Sequence, residues 1–193
     1  MTKLVFATNN DHKLKEISQL LPMDFELLTL KDIGCSEEIP ETGPTLEVNA
    51  AQKSFYLWDK YRMNCFADDT GLEIEVLGNE PGVYSARYAG EEKSASANMD
   101  KVLEKMTGLT NRRARFRCVI SLILEGAEFQ FEGVVQGEIL LERVGNAGFG
   151  YDPIFRPEGY SKSFAQMSEI EKNSVSHRGR AAEKLIEYLK KLH

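Results

Sequence analysis

Two adjacent carboxylates follow an apolar stretch in the middle of the chain, in the segment Ala67-Asp68-Asp69-Thr70-Gly71. Two carboxylates at the end of a buried strand are costly unless a cation lies between them. Mg²⁺ prefers hard oxygen ligands and suits this role, and Glu41 is a candidate third carboxylate. One aspartate could then act as a general base toward water. The alternative is a solvated turn of the Asp-Gly type.

A polar segment joins the first predicted strand, residues 3–8, to a predicted helix over residues 12–21, and reads Thr8-Asn9-Asn10-Asp11-His12-Lys13. Ligands of open α/β sheets bind beyond the carboxyl ends of strands, and helix N-termini attract anions. Lys13 in the first helical turn opposes the helix dipole, a conflict that a bound phosphate would remove. The alternative is a plain helix cap at Asn10 or Asp11, because the glycines of a nucleotide-binding loop are missing.

Glycines flank an aromatic residue in the segment Gly148-Phe149-Gly150-Tyr151-Asp152-Pro153. Glycine lets a backbone approach a ligand closely. Phe149 or Tyr151 could stack on a flat base, and Asp152 could accept hydrogen bonds from the edge of that base. A bend near Pro153 with core aromatics is the alternative.

Cations gather near the C-terminus, where Lys172 precedes Ser176-His177-Arg178. Ser176 is a predicted N-cap for a helix over residues 175–192, which places His177 and Arg178 in the first turn. Cations are unfavourable there unless an anion or an acidic partner is near, and a solvated charge run is the alternative. The arginines at strand period, Arg113, Arg115 and Arg117, are interpreted as a solvent face or as edge protection.

Helical and strand periodicities alternate along the chain and predict an α/β fold with a mixed sheet. Further helices are predicted over residues 44–61 and 94–106. Further strands are predicted over residues 24–30, 64–68, 72–77, 116–124 and 128–136, with a break at residues 69–71 and a turn at Gly126.

Lys and Arg number 24 and Asp and Glu number 30 among 193 residues, for a formal charge of −6. This balance argues against binding polynucleotides through overall charge, but it allows a small phosphorylated ligand in a local basic pocket. The cysteines Cys35, Cys65 and Cys118 form no metal-binding spacing and predict reduced thiols. No apolar run is long enough for a signal peptide or a membrane span, so a cytoplasmic protein is expected.

Six motifs stand in the order found in the inosine triphosphate pyrophosphatase family, and this resemblance covers almost the whole chain. To the segments quoted above it adds Glu41-Thr42-Gly43 with Asn49-Ala50 and Lys53, and Pro81-Gly82-Val83-Tyr84-Ser85-Ala86-Arg87-Tyr88. Bacterial members often have T-G-N and D-D-S-G where Asn9 and Thr70 stand here. Both replacements keep a small or polar group, so activity is expected to be retained.

The resemblance implies a single domain over residues 1–193, with two α/β lobes around a long mixed central sheet and an active site in the cleft between them. It implies a homodimer that hydrolyses ITP, dITP and XTP to a nucleoside monophosphate and diphosphate with Mg²⁺. Asp69 corresponds to the catalytic base and a metal ligand, with Glu41 and Asp68 as further metal ligands. The implied substrate contacts are Thr8, Asn9, Asn10, Asp11, His12, Lys13, Lys53, Thr70, Phe149, Gly150, Tyr151, Asp152, Lys172, His177 and Arg178.

Three other functions remain open from the residues alone. A related pyrophosphatase could act on pyrimidine or modified nucleotides, and a nucleotide-binding regulator could lack catalysis. The run Asp69-Thr70-Gly71 also matches the D-T-G of aspartic proteases, whose paired loops share one proton. This chain has one such run, so a protease would have to dimerise, and the predicted helices fit poorly with a small all-β half.

Overall fold

The computed structural model describes residues 2–191 of the chain. Strands and α-helices alternate through it, in agreement with the predicted fold class. The strands are β1 Thr2–Phe6, β2 Phe25–Leu28, β3 Cys65–Ile74, β4 Glu80–Pro81, β5 Arg113–Leu124, β6 Ala127–Ile139 and β7 Phe155–Pro157. The α-helices are α1 Asp11–Ser18, α2 Leu46–Tyr61, α3 Ala95–Lys105, α4 Glu169–Val175 and α5 His177–Lys190. Short 3₁₀ helices cover Glu75–Leu77, Gly82–Arg87, Asp152–Ile154 and Phe164–Gln166.

The sheet is mixed, as predicted. Its strand order is β2-β1-β3-β5-β6-β7, and β4 pairs with β3. β1 runs parallel to both β2 and β3, whereas β4 is antiparallel to β3 and β7 is antiparallel to β6. Because β5 lies between β3 and β6, the interpretation of its arginines as edge protection is wrong.

The chain divides into two compact units. Within the described residues, the first unit comprises residues 2–69, 118–133 and 178–191. Its two hydrophobic clusters lie on opposite faces of the strands, because side chains alternate along a strand. Phe6 and Phe66 stack at 4.4 Å on the face that packs against α5, and Ala67 joins Leu57 of α2 on the other.

The second unit comprises residues 70–117 and 134–177. Its core is rich in aromatic rings: Phe116 meets Phe155 edge to face at 4.7 Å, and Phe164 packs beside both. Val102 of α3 is fully buried in the same cluster. This packing holds the segments that carry the predicted base-binding residues.

Several predicted boundaries needed correction. The predicted break at residues 69–71 is wrong, since β3 runs unbroken from Cys65 to Ile74 and all of its residues except Thr70 are buried. The predicted strand over 72–77 ends early because residues 75–77 form a 3₁₀ turn. The helix predicted over 12–21 ends at Ser18, and the helix predicted from residue 44 begins after Thr45, whose Oγ1 caps it.

The C-terminal helix begins at His177, two residues later than predicted, and a separate helix that was not predicted precedes it. Residues 169–175 form the separate helix α4, and Ser176 has an extended backbone immediately before α5. The predicted helix end at Leu192 lies outside the described residues. The turn predicted at Gly126 is confirmed, with positive φ at Glu125 and Gly126. Across residues 2–191, the helices are too short or too polar to span a bilayer.

Candidate active site

The polar turn after β1 is a helix cap. Asn10 Oδ1 accepts hydrogen bonds from the backbone N–H groups of His12 at 3.0 Å and Lys13 at 3.2 Å. Asn10 is therefore the cap, and Asp11 is the first helical residue. The turn is tightened by Thr8 Oγ1, which accepts from the Asn10 N–H at 3.2 Å. The predicted helix cap is therefore confirmed at Asn10, whereas the contact of this turn with phosphate stays a prediction.

Lys13 pairs with Asp68, which is fully buried. Its Nζ lies 2.9 Å from Asp68 Oδ1 and 2.9 Å from Oδ2. Arg178 Nε donates to Asp68 Oδ2 at 3.3 Å. Burial raises the pKa of Asp68, but Lys13 and Arg178, with Lys53, outweigh it and hold the pKa well below its usual range. Asp68 is therefore an anchor for two cations.

Arg178 is itself buried, with 2 % of its side chain exposed, so the solvated charge run predicted as an alternative near the C-terminus is wrong for this residue. The acidic partners that a cation needs at the start of α5 are Asp68 and Glu16, which contacts Arg178 Nη1. Burial lowers the pKa of Arg178, but these two carboxylates raise it overall.

Asp69 lies in a different environment from Asp68. Asn49 Nδ2 donates to Asp69 Oδ2 at 3.0 Å, and Lys53 Nζ lies 3.9 Å from Oδ1. Burial raises the pKa of Asp69, and the nearby Glu41 raises it further. Lys53 and Lys13 lower this pKa, but not enough to bring it back to its usual value. A carboxylate with a raised pKa and residual access to solvent is suited to accept a proton from water.

Lys53 connects the carboxylates. Its Nζ contacts Glu41 and donates to the Asp68 carbonyl oxygen at 2.7 Å. Burial lowers the pKa of Lys53, but Asp69 and Glu41 raise it overall, so the ammonium stays charged. Lys53 thus lies between Glu41 and Asp69, two of the three carboxylates that the sequence analysis assigned to Mg²⁺.

Glu41 and Asp69 fit Mg²⁺ as donors, because the ion is often held by one or two carboxylates together with phosphate oxygens. Asp68 fits less well, since both of its oxygens already face Lys13. Within residues 2–191, no three His, Cys, Asp or Glu side chains are grouped to hold a metal by themselves. A phosphate ligand would have to complete the coordination.

Asn49 is a residue that the sequence analysis quoted but did not assign. It is buried, donates to Asp69, and accepts from the Gly43 N–H at 2.7 Å. A side chain at Gly43 would lie 2.5 Å from Val48 Cγ1 and 2.9 Å from Asn49 Oδ1, so a larger residue would have to displace these groups. Asn49 thereby connects the segment that carries Glu41 to Asp69. The signal in the sequence was only an amide side chain in the first turns of a predicted helix, whereas its burial is visible in the structure alone.

In the second unit, Asp152 is the centre of the glycine-rich segment. Its Oδ2 accepts from the Phe149 N–H at 2.8 Å and from Lys172 Nζ at 2.7 Å. Lys172 Nζ also lies 4.6 Å from the centre of the Phe149 ring. A side chain at Gly148 would lie 2.1 Å from Asp152 Oδ2. The segment is thus an ordered loop, in which Phe149 and Gly150 remain half-buried.

Tyr151 and His177 are part of the core of this unit. The Tyr151 hydroxyl donates to the Ser85 carbonyl oxygen at 2.8 Å, and burial raises the pKa of that hydroxyl. The His177 ring stacks on Phe116 at 4.7 Å. For Tyr151 the alternative of a core aromatic is therefore correct, whereas stacking by the half-buried Phe149 stays a prediction. Thr70, the first residue of this unit, is half-buried.

A cavity of about 610 Å³ in the second unit is lined by none of the predicted site residues. Acidic and basic side chains line it together, among them Glu73, Arg113 and Arg115. Arg115 Nε pairs with Glu73 Oε2 at 2.6 Å, and Arg117 pairs with Oε1 at 3.2 Å. Because these charges compensate one another, the cavity does not match the chemistry expected for a triphosphate.

The model of the Ham1 family matches residues 4–188, and the chain belongs to this family. The chain is 52% identical over 188 residues to the dITP/XTP pyrophosphatase of Flavobacterium psychrophilum, covering 97% of this chain and 99% of that protein. It is 44% identical over 193 residues to the protein of the same name from Bacillus subtilis, covering 98% of each. The resemblance drawn from the motifs is confirmed.

Solved structures agree with the fold. The Staphylococcus aureus Ham1 protein superposes with a TM-score of 0.92 at 39% identity, over the whole of both chains. A HAM1 protein from Coxiella burnetii gives a TM-score of 0.92 at 36% identity, over 99% of this chain and 100% of that one.

Proposed function

We propose that this protein hydrolyses non-canonical purine nucleoside triphosphates, dITP, ITP and XTP, to the nucleoside monophosphate and diphosphate, clearing them from the nucleotide pool. Relatives that are 52% and 44% identical to this chain, over nearly their full length, carry the name dITP/XTP pyrophosphatase. The observation in the structure that supports the proposal best is Asp69, a carboxylate of raised pKa beside the charged Lys53.

In the first unit, Asp69 is proposed as the base that takes a proton from water as the water oxygen bonds to the α-phosphorus. The bond from that phosphorus to the bridging oxygen breaks, and diphosphate leaves. Lys13 and Lys53 are proposed to neutralise the phosphate oxygens, with the cap turn of residues 8–13 beside them. Glu41 and Asp69 are proposed to hold Mg²⁺, which when bound neutralises further phosphate charge.

In the second unit, Phe149 is proposed to stack on the purine, since its ring remains half-buried. Lys172, His177 and the backbone N–H groups near Phe149 are proposed as donors to the 6-oxo group, and Arg178 of the first unit is proposed as a further substrate contact. Asp152 or a backbone carbonyl is proposed as acceptor for the purine N1–H. Adenine would present its 6-amino group to these donors and leave them unpaired, which is an effective way to reject a base.

Two further proposals come with the resemblance. The chain is proposed to act as one catalytic domain and as a homodimer, which light scattering of the purified protein tests. A cytoplasmic location is supported by Cys35, Cys65 and Cys118, which are buried and unbridged. Fractionation of cells that produce the protein tests the location.

Product analysis with ITP and Mg²⁺ tests the function directly. IMP with diphosphate is the expected outcome, whereas IDP with orthophosphate would contradict attack at the α-phosphorus. A panel with ATP, GTP, dTTP and UTP tests the substrate class. Preference for dTTP or UTP over ITP would favour the alternative pyrimidine pyrophosphatase, and binding without turnover would favour a regulator.

A further inference from the structure

Glu16, which the sequence analysis did not single out, lies on the same face of α1 as Lys13. The two residues are three positions apart, which places them on neighbouring turns of the helix. Lys13 pairs with Asp68, and Glu16 pairs with Arg178 Nη1. One short helix therefore supplies one charged partner to β3 and another to α5.

These four side chains form a network of three ion pairs. Lys13 contacts Asp68 at 2.9 Å, Asp68 contacts Arg178 at 3.3 Å, and Arg178 contacts Glu16. Because Lys13 and Glu16 both belong to α1, the two ends of this network are attached to one helix. The network has two cations and two carboxylates, and the exposed fractions of their side chains are small: 16 % for Lys13, 0 % for Asp68, 2 % for Arg178 and 13 % for Glu16.

We propose that Glu16 is a positioning residue for substrate binding, acting through Arg178 and Asp68 on Lys13. The inference rests on the proposed function, in which Lys13 and Arg178 contact the nucleotide. Two carboxylates clamp the Arg178 guanidinium from two directions, one at Nε and one at Nη1. Because Glu16 neutralises part of the positive charge of Arg178, Asp68 can also pair with Lys13.

Neutralising Glu16 changes this division of charge. The network then has two cations, Lys13 and Arg178, which compete for its one remaining carboxylate, Asp68. Interactions between close buried charges are strong because water screens them little. Both cations therefore leave positions that two carboxylates had set. Loss of a set geometry weakens substrate binding even where no contact to the substrate is removed.

The test is the variant Glu16→Gln, which keeps the size of the side chain and removes its charge. We expect the KM for ITP to rise about tenfold. Glu26→Gln is the matched control, because Glu26 is a half-buried carboxylate of the same unit that faces Lys3 at 4.0 Å. The KM of this variant should equal that of the wild type. A purely structural role would lower only the folded fraction, and with it the apparent kcat, and would leave KM unchanged.

Two further measurements make the outcome decisive. Glu16→Asp keeps the charge but sets it on a shorter side chain, so its KM for ITP should lie between that of the wild type and that of Glu16→Gln. If Glu16→Gln does not fold, the comparison is between Glu16→Asp and the wild type, and equal KM values would overturn the proposal. Calorimetric binding of inorganic diphosphate, which needs no turnover, should also weaken in Glu16→Gln. A wild-type protein that binds diphosphate but yields no IMP contradicts the proposed function alone. Unchanged KM and unchanged diphosphate affinity in a folded Glu16→Gln protein contradict the role of Glu16.

Discussion

Asp68 and Asp69 are neighbours on β3, yet their carboxyl groups have opposite electrostatic environments. Burial raises the pKa of both. For Asp68 this effect is outweighed by Lys13 at 2.9 Å and Arg178 at 3.3 Å. For Asp69, Lys53 is 3.9 Å away and burial prevails. Successive side chains of a strand point to opposite faces, so one aspartate meets α1 and α5 and the other meets α2.

Replacing Asp69 by Asn should abolish most turnover while nucleotide binding largely survives. A positioned general base contributes roughly 10²- to 10⁴-fold to the rate, and the amide cannot accept the proton. Asn49 can still donate to the amide oxygen, so the local structure should persist. The measurement is kcat for ITP together with the affinity for ITP by calorimetry. Asp59→Asn, at a position 70 % exposed, is the control. Turnover of Asp69→Asn near the wild-type rate would remove Asp69 from the role of base.

Replacing Asp68 by Asn should destabilise the protein far more than replacing Asp69. Removing one partner from a buried ion pair costs about 3–5 kcal/mol, because the remaining charge is left uncompensated. Asp69 is a group whose charged form is disfavoured by folding, so its neutral replacement should leave the free energy of unfolding unchanged or higher at pH 7. Urea unfolding of both variants measures the difference. Equal losses of stability in Asp68→Asn and Asp69→Asn would contradict the different electrostatic environments of the two aspartates.

The pH dependence of catalysis should have an acidic limb set by Asp69. The base must be deprotonated, and its pKa lies above the ordinary value of 3.8, so kcat/KM should fall as the pH drops through this raised pKa. Stability should respond with the opposite sign for the two residues. The contribution of Asp68 is present above its unfolded pKa and is lost as pH falls through its depressed value, whereas the contribution of protonated Asp69 is lost as pH rises through its raised value. A residual rate in Asp69→Asn with the same acidic limb would assign that limb to another group.

Alanine at Gly148 should be more damaging than alanine at Gly159. Both residues have positive φ, 76° and 82°, so both substitutions carry the backbone strain of about 1–2 kcal/mol. Only the added methyl group at Gly148 meets an atom, Asp152 Oδ2 at 2.1 Å, and only there should the pairing of Asp152 with Lys172 be disturbed. The KM for ITP should therefore rise in Gly148→Ala and stay constant in Gly159→Ala, and equal effects would contradict the role of the loop.

Removing metal should stop the reaction, and Glu41 should set the requirement for Mg²⁺. EDTA is expected to abolish the release of diphosphate, and added Mg²⁺ should restore it. In Glu41→Gln, the Mg²⁺ concentration that gives half-maximal rate should rise by roughly tenfold or more. Glu37→Gln is the matched control, because Glu37 pairs with Lys60 at the surface of the same unit. Full activity in EDTA would contradict a metal requirement.

The mixed α/β architecture could be predicted from the alternation of periodicities, because each element has a local signal. The continuity of β3 through residues 69–71 could not, since Asp and Gly usually mark turns and only tertiary partners make a buried Asp68 tolerable. Those partners lie far away along the chain: Lys13 is 55 positions from Asp68, and Arg178 is 110. The spacing of residues along the sequence does not show that such distant side chains form pairs.

The candidate site differs from its prediction for the same reason, because contacts between distant residues cannot be read from the sequence. Residue types alone favoured three carboxylates around a metal, and the structure instead gives Asp68 to two cations. Glu16 had no signal beyond its position one turn after Lys13, and the role of Asn49 depended on the approach of Gly43. Motif order was sufficient for the family, because it requires no knowledge of which side chains meet.

The proposed base lies inside a ten-residue strand and not on a flexible loop. Its backbone belongs to a part of the protein that is buried at nearly every position, and such segments exchange their amide hydrogens only through extensive opening of the native structure. The amide protons around Asp69 should thus be among the slowest to exchange, and heating should leave the base in place until the protein melts as a whole. Thermal inactivation would then report cooperative unfolding and not the earlier fraying of a loop.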